Sequence, residues 1–176
     1  MKNILYLTAG IVIILGIQAC NRKVAKNYNK ISFVDTTSMS FIKNAMEVNL
    51  AELQASGIAI INSDNQKVVN FAKQLIDDCT KAGNELKKIE IDKMAIVNDT
   101  CSSSHQILID NISNKSKDNF DKCYMKMVVE DNEHTVKLFS GVTVKDEVAV
   151  KSFINNTLPV IKLHLDSARA ILASLK

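Results

Sequence analysis

VVNFAKQLIDDCTKAGNELKKI, residues 68–89, is the stretch whose reading decides the fold. Val68, Ala72, Leu75, Cys79, Ala82, Leu86 and Ile89 recur in alternating steps of four and three residues. That spacing winds one apolar seam along a helix and requires partner helices to bury it. The predicted helix spans about Asp64 to Lys93, with Ser63 and Asp64 breaking the preceding segment and capping this one.

Working outward, the segment before it reads as a helix from about Ser38 to Asn62. Its stripe is Phe41, Val48, Ala51, Ala55, Ile58 and Ala59, with Glu47 and Glu52 at the margins. After residue 93, Asn98 to Ser104 is loop-like, and the serines at 102–104 suit the cap of a short helix over Gln106 to Ile112. Past a polar break at Asn114 to Asp118, NFDKCYMKMVVEDNEHTVKLF, residues 119–139, forms a third long helix. Phe120, Tyr124, Val128, Thr135, Val136 and Phe139 share one face, and Asp131 and Asn132 fall inside that apolar arc. Ser140-Gly141 ends it. The last helix runs from Lys145 to Leu175 on the stripe Val150, Phe153, Thr157, Ile161, His164, Ala168, Ile171 and Leu175. Pro159 lies inside it and predicts a kink near residues 155–159, because proline lacks the N–H and crowds the preceding turn.

Four long stripes with short first-to-second and third-to-fourth connections are buried together most simply in an antiparallel four-helix bundle. The fold class is therefore all-α, with a short extra helix between the second and third long helices. Composition agrees: 47% of the 176 residues are hydrophobic, while only 5 glycines and 1 proline punctuate the chain.

Residues 1–19 are set apart from the domain. Lys2 gives a basic start, Ile4 to Ile17 an apolar run, and Ile17-Gln18-Ala19-Cys20 a cleavage region. An apolar residue three before a cysteine and a small residue directly before it are the pattern of a bacterial lipoprotein signal. Cys20 would then be acylated and become the first residue, and at about 0.8 kcal/mol per buried CH₂ two or three acyl chains hold a protein on a bilayer. The run is too short for a good spanning helix. Residues 20–37 form a polar tether and 38–176 the bundle domain. No acidic residue follows Cys20 before Asp35, which favours the outer membrane with the domain in the periplasm. The formal net charge of +3 falls by one when Lys2 leaves with the leader, too little for a nucleic-acid footprint. Membrane contact through lipidated Cys20 is the expected partnership; protein partner and ligand are unspecified.

FIKNAMEVNLAEL from Phe41, NFAKQLIDDCTKAGNELKKI from Asn70, the 119–139 stretch and TLPVIKLHLDSA from Thr157 together resemble family 4142 of domains of unknown function. The resemblance covers about Ser38 to Lys176 and implies an envelope protein with a ferritin-like bundle. It also implies a metal-type pattern, an Asp-His pair on the second helix and a His on the third. Asp78-Cys79 and Asp131-Asn132 stand at those places, while Glu47 and His164 match.

The residues themselves lack the Glu-x-x-His pairs of a di-iron bundle. Counted from the turns, Glu47 and Cys79 should be level. Asn132 and His164 should be offset by about 14 residues, roughly 20 Å at 1.5 Å per residue. Asp131 is expected to pair with a Lys or Arg, and His105 and His134 to sit on the surface. Cys79, Cys101 and Cys123 remain after the leader, an odd number without a CxxC motif, each read as a small buried hydrophobe. No catalytic motif is present: there is no Gly-x-Ser-x-Gly, His-Glu-x-x-His or phosphate-cradling loop. Two functional readings follow. One is a lipid-anchored periplasmic bundle with a non-enzymatic binding, envelope-structural or stress role and no cofactor. The other is a metal- or redox-active ferritin-like protein holding a transition metal through Glu47, Asp78, Cys79, Asp131 and His164.

Overall fold

The computed structural model describes residues 36–93, 100–144 and 147–175. The leader, Cys20 and the tether up to residue 35 lie outside the described residues, as do residues 94–99 of the second connection. The described chain is helical without strands: α1 (Thr36–Asn62), α2 (Gln66–Asp92), α3 (Ser103–Ser113), α4 (Lys117–Gly141) and α5 (Val148–Ser174). These are the four long helices and the short extra one that the stripes predict. No helix among the described residues is long and apolar enough to cross a membrane.

Two caps explain where helices start. Asn65, rather than Ser63 or Asp64, is the N-cap of α2: its side chain accepts from the Lys67 N–H at 3.0 Å, while Ser63 Oγ accepts from the Asn65 N–H at 3.1 Å. Ser102 caps α3 as its sequence suggests, accepting from the His105 N–H at 3.2 Å. Helix α5 runs from Val148 to Ser174 through Pro159.

Helix α1 packs on α2 and α4, α5 packs on α4 and α2, and α3 lies against α1 and α4. Two ion pairs fix the directions. Lys117 at the start of α4 meets Asp64 in the α1–α2 turn at 2.9 Å, and Lys93 just after α2 meets Glu147 just before α5. Helices α2 and α4 therefore begin at the same end and run parallel, so the chain between them must return along the length of the bundle, carrying α3 with it. One long crossover joining two antiparallel hairpins is the ferritin-like connectivity.

The core has two apolar clusters. Near the α1–α2 turn, Ala51, Ala55 and Ala59 let α1 approach closely while Phe71, Leu75, Phe120 and Tyr124 fill the space. Ser56 Oγ and the Tyr124 hydroxyl share a hydrogen bond of 3.0 Å, so the buried phenol keeps a partner. At the other end Phe41 lies 4.9 Å from Phe139 and 6.4 Å from Phe153 between ring centroids, both edge to face, with Ile42, Leu86 and Val150 around them. Between the clusters lies a belt of buried polar side chains.

Candidate functional site

The belt is built from the same positions that elsewhere carry core residues. On α1 the steps Phe41, Ala45, Val48, Glu52, Ala55 and Ala59 alternate four and three, which places Glu52 in the seam; it is 8% exposed, not marginal as its neighbours suggest. Its carboxylate accepts from the Cys79 thiol of α2 at 3.3 Å and from the Asn132 amide of α4 at 2.5 Å. Asn132 also donates to the Val128 carbonyl at 3.0 Å, so its NH₂ serves both helices. Burial pushes Glu52 up to about 7, and the hydrogen bonds from Cys79 and Asn132 only partly offset it. Burial, and then the neighbouring Glu52 carboxylate, push the Cys79 thiol up, so it is a neutral donor rather than a nucleophile.

On the α3 side, His105 Nδ1 meets Glu47 at 2.5 Å and Nε2 faces Asp131 at 3.4 Å. The Ser102 N–H donates to Glu47 at 2.8 Å. The bond to Asp131 first, and that to Glu47 next, raise His105 to about 9 against the opposing effect of burial. Burial acts to raise Glu47 as well, but the Ser102 N–H and His105 hold it below the ordinary carboxylate value. On the opposite side, between α2 and α5, His164 Nε2 lies 3.1 Å from Asp78, whose other oxygen accepts from Lys81 at 3.1 Å. Burial opposes these partners, yet they keep Asp78 lowered. The Phe71 ring stands edge-on to His164, 6.3 Å away.

A cavity of about 50 Å³ reaches this belt, lined by Glu52, Asp78, Cys79, Asn132, Thr135 and His164, with Phe139 and Phe153 toward one apolar end. It has room for a few water molecules.

The five sequence-derived candidates are thus distributed over three linkages. Glu47 and Asp131 meet through His105, Asp78 and His164 pair directly, and Cys79 pairs with Glu52. The two nitrogens of one imidazole point in opposite directions, so Glu47 and Asp131 occupy opposite edges of the ring. Among the described residues, no three His, Cys, Asp or Glu side chains are grouped to hold a metal ion. Cys79, Cys101 and Cys123 are all free thiols.

Several expectations are corrected. Asn132 and His164 line one cavity instead of lying roughly 20 Å apart, because the α4–α5 connection occupies 142–147 and the midpoint of the turn lies beyond Gly141. Glu52, not Glu47, is level with Cys79; Glu47 faces Ser102 and His105. Asp131 pairs with a histidine rather than a Lys or Arg, and His105 is half-buried rather than on the surface. The missed signal is again spacing: His105, Ile109 and Ile112 lie four and three apart, on the buried face of α3.

No curated protein matches the sequence. The crystal structure of a DUF305 fragment from Deinococcus radiodurans is similar in fold, with a TM-score of 0.71 at 8% identity, covering 81% of this chain and 99% of that one. The family model for the domain of unknown function DUF4142 matches residues 28–171, nearly the whole domain expected from the helical stripes, and the chain belongs to that family.

Proposed function

We propose that this protein is a lipid-anchored bundle, held by acylated Cys20 on the periplasmic side of the outer membrane, that acts by binding or by an envelope-structural or stress role rather than by catalysis. One observation carries the non-catalytic part of the reading. The groups with chemical potential at the centre are engaged with one another: Glu52 with Cys79, His105 with Glu47 and Asp131, and His164 with Asp78. The space among the central ones is about 50 Å³. Small-molecule sites run to about 300 Å³ or more. A thiol pushed up in pKa and donating to a carboxylate is also a poor nucleophile. The anchored location is supported by the Ile17 to Cys20 pattern and by the polar stretch after it.

The anchor is tested by producing the full-length chain in a Gram-negative host with labelled palmitate. Incorporation into membrane-bound protein, abolished by Cys20→Ala, is the expected result; an unlabelled and unprocessed native protein would sink this part. The non-catalytic reading is tested separately by elemental analysis of the purified full-length protein. Stoichiometric iron, zinc or copper that disappears in Cys79→Ala or His164→Ala would replace it with the metal-active reading.

A further inference from the structure

Helix α3 has an unusual attachment. It has 11 residues, a length at which an isolated helix is marginal in water. Of its apolar side chains Ile109 and Ile112 are buried, while Ile107 and Leu108 face solvent. The rest of its hold on the bundle is polar and concentrated at its first turn: the Ser102 N–H and His105 on Glu47 of α1, and His105 on Asp131 of α4. Behind that attachment lies the buried centre: Asp131, which His105 meets, is followed in α4 by Asn132, whose amide donates to Glu52. We propose that α3 is a proton-controlled strap, latched across α1 and α4 by protonated His105 and released, exposing the polar centre of the bundle, when that proton is lost.

The charges facing the latch favour this direction. Helix α1 contributes Glu47 and Glu52, α4 contributes Asp131, and the segment before α3 contributes Cys101, whose thiol burial and Glu47 keep protonated. Helix α2 places the neutral Cys79 thiol on Glu52, and the Asp78–His164 pair lies on the far side toward α5. With His105 charged, one cation stands among the carboxylates. Without it, Glu47 and Asp131 at the two edges of the ring, and an ionised Glu52 near Asp131, have no cation of the latch among them, and Glu52 and Asp131 are buried. Because His105 is raised to about 9 from the ordinary 6.5, the latch is fully present below about 6.5 and is lost as pH rises through about 9. Within that window each pH unit increases opening by up to about tenfold.

Hydrogen–deuterium exchange of the full-length protein, corrected for the intrinsic pH dependence of exchange, measures this directly. Protection of the amides of residues 106–113 is expected to fall at least about tenfold between pH 6.5 and 9, while amides in the middle of α2 change much less. His105→Gln should give low, pH-independent protection of α3, and Asp131→Asn should move the fall to lower pH by removing the carboxylate that most raises His105. Protection of α3 that is flat across this range in the native protein overturns the strap, and so does an unchanged pH slope in His105→Gln. Equal loss of protection in α2 and α3 would also overturn it, by identifying the transition as global unfolding.

Discussion

The two apolar ends of the bundle and the belt between them are made from the same helical positions, yet they hold the helices together in different ways. At the Phe41–Phe139–Phe153 end, interlocking rings exclude water without regard to pH. In the belt, the polar groups depend on a few particular partners: Glu52 on Asn132 and Cys79, Glu47 on His105 and the Ser102 N–H, Asp131 on His105, Asp78 on His164 and Lys81. Truncating an apolar side chain at the ends leaves a cavity, whereas removing one polar partner in the belt leaves a buried group short of a hydrogen bond. The ends supply stability, and the belt supplies register and a dependence on protons.

That contrast can be broken at its strong side first. Phe153→Ala should destabilise the protein by about 3–5 kcal/mol in denaturant unfolding, equally at pH 5 and pH 9; a strong pH dependence of this loss would erase the distinction. Asn132→Ala removes the amide donor to Glu52 and should cost about 2 kcal/mol, more at pH 9 than at pH 5, since the ionised carboxylate needs the donor more. Glu52→Gln tests the sign. A carboxyl raised from 4.5 to about 7 by burial favours folding when protonated, and its ionisation destabilises the fold as pH rises through about 7. The variant should thus match the native protein at pH 5 and exceed it by about 1–2 kcal/mol at pH 9. Greater native stability at pH 9 would show that the ionised carboxylate is favourable in the belt. Smallest of all, Lys117→Ala breaks the exposed pair with Asp64 and should change stability by less than about 0.5 kcal/mol, an effect that 1 M salt removes.

The same division separates what was legible in the sequence from what was not. Four apolar stripes and a few capping serines or asparagines suffice to place the helices, because burial of a seam depends on spacing and residue class alone. Leu75, Leu86, Phe120 and Phe153 belong to the core by spacing and by burial alike. The belt depends on which oxygen meets which nitrogen across helices, and that is set by register. Register in turn rests on the length of two connections, and six residues at 142–147 moved His164 beside the cavity that Asn132 also lines. Glu52 and His105 were hidden for another reason: a carboxylate or an imidazole in a helix ordinarily signals the solvated face, although the four-three spacing on α1 and α3 pointed inward.

The parallel course of α2 and α4 carries a consequence for how quickly the chain folds. Each hairpin, α1 with α2 and α4 with α5, closes over a connection of a few residues and needs little loop entropy. Docking the hairpins requires the crossover to be laid along the bundle, a step that brings together much more distant stretches of chain. The belt joins α1 to α4 across 80 residues through Glu52 and Asn132, so its bonds form late. Substitutions at Asn132 should then accelerate unfolding while leaving the folding rate nearly unchanged, and a φ-value near 1 there would place the crossover ahead of the hairpins instead.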